Sequence, residues 1–387
     1  MSKIARLAII ITHPIQYYAP VFKLLAQKTP VKVFYTWGEG SVSKYDPGFA
    51  KKIEWDIDLL NGYDYQWVNN TAKNPGSHHF NGIINPDLIS QINSWQPDSV
   101  LVYGWSYNSH LKVIRYFKNK IKIFFRGDST LLDEKPHLKN WFRSIYLRWV
   151  YQHIDFAFYT GSNNKAYFKK YGLRENQLIF APHAIDNERF SIKRTAEVQL
   201  LKQTLRINKN DILLLFAGKF EDKKNPLLLL KAFKSIQRPN LHLLYVGNGG
   251  LEEKLKTGAA GNSNIHFMDF VNQSTMPAVY QACDLFCFPS KGPGESWGLA
   301  VNEAMACGKA ILIADKAGCA IDLIKENYNG LQFKSENYVN LTACLQELTA
   351  SKNGLAQYGQ NSAIMIKGWS FENMVNKIKD KIIHEAQ

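Results

Sequence analysis

Short apolar runs of strand length alternate with helix-length amphipathic stretches along this chain, and near residue 190 the alternation starts again. The first series has strand patterns at 4–11, 31–35, 99–103, 121–125, 156–160 and 178–180, separated by helical patterns such as 20–28 and 110–118. The second has strand patterns at 212–217, 241–246, 265–267, 285–288 and 310–313. Strand and helix in turn dictate parallel sheets covered by helices, because consecutive parallel strands need a crossover that packs back onto the sheet. A chain of 387 residues is long for one such domain and comfortable for two. The expected class is α/β, with two doubly wound domains at 1–190 and 191–370 facing each other across a cleft, and a last helical segment at 371–387. Ligands of this architecture bind outside the carboxyl ends of the strands, so the loops there are where chemistry is sought.

At 45% hydrophobic and 21% charged residues, the composition is that of a globular chain. No apolar run reaches the roughly 18 residues of a membrane-spanning helix. The apolar run at 7–11 leads into Thr12-His13-Pro14 without a small-residue cleavage site. It reads as a first strand rather than a signal peptide and predicts a cytoplasmic protein. Five cysteines, with no Cys-x-x-Cys pair and each in an apolar setting, read as reduced core thiols. The paired His78 and His79 have no second ligand pair nearby in the chain and read as surface residues, so no zinc site is expected.

Within the second series, the run Pro289-Ser-Lys-Gly-Pro-Gly-Glu295-Ser-Trp-Gly-Leu-Ala-Val-Asn-Glu303-Ala-Met-Ala-Cys-Gly308 carries two carboxylates eight positions apart. It reads as the end of a buried strand, a glycine-rich turn, and a helix that opens near Ser296 and closes at Gly308. Eight helical residues rise about 12 Å. That is the reach needed for Glu295 to hold the hydroxyls of a sugar while Glu303 holds the ribose of the nucleotide carrying it. The diphosphate would lie against the amides of Ser296, Trp297, Gly298 and Leu299. A competing reading makes Glu295 a dipole partner and Glu303 a solvated or salt-bridged helix residue. The flanking Leu299, Ala300, Val301, Ala304 and Met305 are too apolar for a wet surface helix, so a carboxylate among them needs partners.

Upstream, Gly218-Lys219-Phe-Glu-Asp-Lys-Lys224 ends a strand at glycine and sets Lys219 and Lys224 five positions apart. Two cations so placed can meet a diphosphate whose charge grows as a glycosidic bond breaks. A solvated, lysine-rich loop is the plainer alternative. The turn Gly247-Asn-Gly249-Gly250 follows a strand and precedes a helix, so its amides can approach a phosphate or base. It half-mimics a dinucleotide fingerprint, with Asp269 lying 22 residues beyond Gly247, yet Glu252 stands where the third glycine belongs. Asp56-Ile-Asp58 invites a metal-binding D-x-D reading. The same alternation is that of a half-exposed strand, which is the reading adopted, with no catalytic metal and no cofactor expected.

Together these stretches resemble the GT4 family of retaining glycosyltransferases (glycosyl transferases group 1), which have the GT-B fold of two Rossmann-like domains. The run from Glu295 to Glu303 is similar to the family's E-x7-E signature. The likeness continues through 216–226, through 245–252 and through Ala181-Pro-His-Ala-Ile-Asp186-Asn-Glu-Arg-Phe190, and it covers the second half of the chain densely. The resemblance implies a transferase that moves a sugar from a nucleotide diphosphate donor to a hydroxyl of a glycan or lipid-linked acceptor, with retention, in polysaccharide or glycolipid synthesis. It implies Glu295 on the donor sugar, Glu303 on the ribose, and Lys219 and Lys224 with Gly218, Gly247 and Gly249 around the phosphates. It also implies a terminal helix that crosses back to the first domain. The family usually has Arg where Lys219 stands, a change that keeps the charge and gives up bidentate geometry. Where the family often has a histidine near the reacting centre, this chain has Arg126-Gly-Asp128-Ser129. Arg126 suits a phosphate or an acidic acceptor, Asp128 suits taking the acceptor's proton, and His13 is the residue to stand in for the histidine. Gly104-Trp105-Ser106-Tyr107, at another strand end, suits stacking on a sugar. A nucleotide-sugar epimerase or hydrolase on the same fold, a NAD-dependent oxidoreductase and a catalytically silent sugar-binding protein are the alternatives.

Charge is uneven. Residues 1–190 hold 24 Lys/Arg against 15 Asp/Glu, a net of +9 out of the +14 of the whole chain. Ten basic residues against three acidic ones fall between Lys112 and Arg148, and the helical pattern at 138–149 interleaves them with Trp141, Phe142, Tyr146 and Trp149. That mixture predicts peripheral contact of residues 112–149 with the inner face of an anionic membrane, against the alternative of a buried aromatic face and a solvated basic one. No nucleic-acid-binding module is visible, so no nucleic acid partner is expected.

Overall fold

The computed structural model describes residues 5–42, 44–46, 48, 51–134 and 138–386. Ile4, read as the start of the first strand, and Lys135 of the basic segment lie outside the described residues. The chain divides into two compact units. One gathers the described residues within 1–44, 58–183 and 371–387, and the other those within 45–57 and 184–370.

The strands are β1 (Leu7–Ile11), β2 (Val31–Tyr35), β3 (Lys44–Asp46), β4 (Lys51–Ile53), β5 (Asp64–Trp67), β6 (Ser99–Tyr103), β7 (Lys122–Arg126), β8 (Phe156–Tyr159) and β9 (Leu178–Phe180). The series continues with β10 (Ile212–Ala217), β11 (Leu241–Val246), β12 (Ile265–Met268), β13 (Leu285–Phe288), β14 (Ala310–Ala314) and β15 (Gly330–Phe333). The first unit carries a seven-stranded sheet in the order β5-β2-β1-β6-β7-β8-β9, and the second a six-stranded sheet in the order β12-β11-β10-β13-β14-β15. Neighbours in both pair in parallel. This is what the alternation required, and it accounts for unbroken apolar strands such as Leu7–Ile11, since a parallel sheet is covered on both faces.

In the first unit Ile10, Val100, Val102 and Phe125 pack against Val113, Ile114 and Leu147. In the second, Leu214, Leu243, Tyr245 and Cys287 pack against Leu229, Phe233 and Leu345. All five cysteines are unpaired, and all but Cys307 are buried. The helix Phe371–Ala386 belongs to the first unit; it buries Met374, Val375, Ile378 and Ile382 along one stripe, and Lys122 pairs with its Glu385 at 3.1 Å.

Four strands escaped the sequence. β5 alternates polar with aromatic residues at a sheet edge, β15 is four residues of which the first is a glycine, and β3 and β4 pair only with each other. The half-exposed strand expected around Asp56 and Asp58 is not there: β4 stops at Ile53, Asp56 lies in a bend and Asp58 in irregular chain. Each carboxylate accepts from backbone amides instead, Asp58 locally and Asp56 from far along the chain. Asp58 accepts from the Leu60 and Asn61 amides at 3.0 and 3.2 Å, bonds that hold its carboxyl below the usual range. Asp56 accepts from the Ser274 amide at 3.1 Å.

Candidate functional site

At the carboxyl ends of β10 and β11 two turns lie backbone against backbone. Gly218 N–H donates to Val246 O at 3.0 Å and Phe220 N–H to Asn248 O at 2.8 Å. A Cβ on Gly247 would sit 2.1 Å from Gly218 O, and its φ is +136°, so only glycine fits. A Cβ on Gly249 would sit 2.7 Å from Phe220 O. The glycines expected around a phosphate therefore also weld the two loops together, while Gly218 has open space beside it.

Beyond Gly218 the two lysines part. Lys219 lies against Gly48 of the 45–57 segment, where an added Cβ would come within 2.5 Å of its Cδ. Lys224 closes the short turn Asp222–Lys224, and Asn225, at φ +52°, leads into the helix Pro226–Ser235. From there Lys224 Nζ reaches Glu295 Oε2 and lies 5.1 Å from the centroid of the Phe288 ring. The fully buried Ser290 donates Oγ–H to that same oxygen at 2.9 Å.

The helix that follows begins at Leu299, not at Ser296, and runs to Ala306. Gly298 stops it: its φ of +107° is left-handed, and a Cβ there would strike the Phe288 ring at 2.7 Å. Residues 295–297 are pinned instead to the loop beyond β14, Gly318 N–H donating to Glu295 O at 3.0 Å and Cys319 N–H to Trp297 O at 3.1 Å. The eight-residue helical rise expected between the carboxylates is thus replaced by a loop carboxylate and a helix carboxylate. Ser296 belongs to that loop, and Leu299 to the first helical turn. Trp297 is buried, its Nε1–H donating to Asn302 Oδ1 at 2.9 Å.

Glu303 is only 4% exposed and accepts from Tyr280 O–H at 2.9 Å, which meets the need for partners that its apolar helix created. Neither hydroxyl was singled out from sequence. Tyr280 lies 23 positions upstream with no local signal, whereas Ser290 stands inside the informative run and its proximity to Glu295 was available.

In the first unit a cavity of about 360 Å³ opens at the carboxyl ends of β1, β6 and β7, where the strand order reverses between β1 and β6. Tyr18, Tyr103, Trp105, Arg126, Asp128 and Arg143 are among its lining residues. Arg126 is 1% exposed, and its Nη1 and Nη2 donate to Ala181 O at 2.9 Å and Pro182 O at 3.1 Å. Much of the guanidinium is therefore committed to backbone. Burial, together with the Arg126 charge, holds His183 well below the usual histidine range. His13 does not line the cavity; its Nδ1 lies 2.8 Å from Thr12 Oγ1, and its ring meets Trp37 edge-on. The buried His110 places Nδ1 at 2.9 Å from Gly104 O and Nε2 at 2.8 Å from Thr36 Oγ1, so Nδ1–H donates and Nε2 accepts.

The basic, aromatic helix is Leu138–Tyr151. Leu147, Val150 and Tyr151 face the core, while Trp141, Phe142, Ile145 and Tyr146 are 40–65% exposed. The expected alternative of a buried aromatic face is not how this helix packs.

The model of the family described as Glycosyl transferases group 1 matches residues 197–365. Over 211 residues the chain is 25% identical to N,N'-diacetylbacillosaminyl-diphospho-undecaprenol alpha-1,3-N-acetylgalactosaminyltransferase of Campylobacter jejuni, a match covering 53% of this chain and 54% of the relative. Over 106 residues it is 34% identical to phosphatidyl-myo-inositol mannosyltransferase of Mycobacterium tuberculosis, covering 26% and 27%. The chain thus spans about half, or less, of these relatives' lengths. Anabaena Alr3699/HepE, solved in complex with UDP and glucose, superposes with a TM-score of 0.71 at 15% identity, over 98% of this chain and 99% of that one. At that identity the likeness is one of fold, and the fold is GT-B.

Proposed function

With residues 197–365 belonging to the glycosyl transferases group 1, we propose that this chain moves a sugar from a nucleotide diphosphate donor to a hydroxyl of a glycan or lipid-linked acceptor, with retention and without a metal. The observation that carries the reading is the Lys224–Glu295–Ser290 cluster, which sets a cation and an anchored carboxylate together beside the glycine turns. Lys224 is suited to take up the charge that grows on the leaving diphosphate, a contact stronger in the transition state than in the ground state. Glu295 would hold the donor sugar, and Glu303, fixed by Tyr280, the ribose. The departing phosphate is then the base for an acceptor hydroxyl attacking from the same face. Lys219, Gly218, Gly247 and Gly249 complete the phosphate contacts, and in the first unit the cavity lined by Asp128 and Arg126 is suited to an acceptor.

A lipid-linked acceptor is favoured over a free glycan. The names of the two relatives specify an undecaprenol diphosphate and a phosphatidyl-inositol substrate, and the exposed ridge of the 138–151 helix suits peripheral contact with the inner face of a membrane. No helix among the described residues is long and apolar enough to cross one. Cell-surface polysaccharide or glycolipid synthesis is the matching role.

A thermal-shift screen across UDP, GDP, ADP and their sugars tests the donor reading, because a ligand that binds only the folded state raises its stability. One nucleotide series should raise the melting temperature of the wild type. Glu303→Gln should lose about 1.5 to 3 kcal/mol of nucleoside diphosphate affinity, as for a hydrogen bond to a charged group. No shift with any nucleotide would refute the donor reading.

A further inference from the structure

Glu295 presents its two oxygens unequally. Oε2 accepts from both Lys224 Nζ and Ser290 Oγ. Oε1 has no hydrogen-bond partner among the described residues, and since it is not among the buried unpartnered atoms, solvent reaches it. The two donors also differ in freedom. Ser290 is fully buried, two residues past the end of β13, and carries its hydroxyl one torsion from the backbone. Lys224 arrives on a flexible four-carbon stem from the turn after β10 and keeps 19% of its side chain exposed.

Resting on the reading that Glu295 holds the donor sugar and Lys224 meets its diphosphate, we infer that Ser290 is the positioning residue of this site. Its bond to Oε2 persists when the donor arrives, so Oε1 stays turned toward the sugar hydroxyls while Lys224 passes from the carboxylate to the phosphates. An ammonium is a point charge with three donors and can change partners in this way without loss of geometry. Once it has moved, Glu295 is a carboxylate in a residue only 8% exposed with one partner fewer, and a buried charge without hydrogen bonds is costly. Ser290 supplies the bond that remains.

Ser290→Ala, Ser290→Cys and Ser290→Thr separate this role from packing, because cysteine keeps the volume and loses the hydroxyl while threonine keeps the hydroxyl. With the nucleotide sugar identified by thermal shift, donor hydrolysis without acceptor and nucleoside diphosphate affinity are measured for each. The Ala and Cys variants should lose about tenfold or more in kcat/KM for the donor, with nucleoside diphosphate affinity within about twofold of wild type. Ser290→Thr should recover most of the rate, and Ser290→Cys should melt as the wild type does. If Ser290→Ala fails to fold, the Cys and Thr pair decides. A Ser290→Cys protein that hydrolyses donor like wild type overturns the inference and leaves the donor reading standing. So does a parallel fall in nucleoside diphosphate affinity, which would make Ser290 a general prop of the pocket. A wild type that neither binds nor turns over any nucleotide sugar overturns both.

Discussion

Both units wind a parallel sheet, yet they use charge at their strand ends in opposite ways. In the second, the charged groups beyond β10 and β13 are held by other side chains: Lys224 and Ser290 on Glu295, Tyr280 on Glu303. Such bonds can be exchanged for a ligand's. In the first, Arg126 at the end of β7 is bonded to the carbonyls of Ala181 and Pro182, and the nearby histidines are buried and neutral. Those bonds belong to the fold. One unit therefore keeps its charges exchangeable, while the other buries them to shape an aromatic cavity.

The sharpest way to break that contrast is to delete the exchangeable cation. Lys224→Ala should lower turnover by about 10²-fold or more, the cost of losing one preplaced donor to developing charge. Its melting temperature should fall, because Glu295, only 8% exposed, is left with Ser290 alone, so turnover is compared at a temperature where both proteins stay folded. EDTA should leave the wild-type rate unchanged. A rate lost in EDTA and restored by manganese would return Asp56 and Asp58 to the argument, and a Lys224→Ala enzyme at full rate would place its charge with the fold, as in the first unit.

The complementary test addresses the first unit's buried histidines. Burial pushes His110 down to about 4, and its two ring nitrogens are already matched as donor and acceptor in the neutral form. A histidine lowered in the folded state stabilises fully above its unfolded pKa of roughly 6.5, and that stability is lost as pH falls toward the folded value. The shift corresponds to about 3 kcal/mol lost between roughly pH 6.5 and 4. His183 is displaced in the same direction and steepens the loss. Urea unfolding at several pH values should show this decline, and His110→Asn, which cannot be protonated, should flatten it. An unchanged acid limb in that variant would mean that the decline arises elsewhere.

What was legible in the sequence follows the same division. The alternation of strands and helices announced both sheets, because parallel strands buried on two faces must be continuous in apolar residues. The second unit's candidate site could be proposed from sequence because its groups lie within a few local runs: Gly218 to Lys224, Gly247 to Gly249, and Ser290 to Glu303. What stayed hidden there was made by distance in sequence. Tyr280 reaches Glu303 from a different helix, and Gly318 fixes the Glu295 backbone from the loop after β14. The helix expected to open near Ser296 begins only at Leu299, because the φ of Gly298 forbids a helix behind it. Arg126 shows the same limit from the other side. A charged residue at a strand end has the pattern of a ligand contact, and only the chain returning at Ala181 and Pro182 reveals what it holds.

The smallest expected effect concerns a helix of the first unit that leaves a cluster of apolar surface outward. On the helix Leu138–Tyr151, Trp141, Phe142, Ile145 and Tyr146 are exposed side by side, while Arg143 pairs with Glu134 at 3.4 Å and Arg148 donates to Lys170 O at 3.1 Å. Basic residues near an anionic surface contribute on the order of 1 kcal/mol each, and salt screens that share. Aromatic rings settling among head groups add a share that salt does not remove. Wild-type protein should therefore co-sediment with anionic vesicles at low salt and be only partly released at high salt. An Arg143→Glu, Arg148→Glu variant should lose the salt-sensitive share, a Trp141→Ser, Phe142→Ser variant the residual one, and both should keep nucleotide binding in the second unit. Equal sedimentation of all three proteins would show that this ridge is not the membrane contact and that the first unit meets its acceptor through the cavity alone.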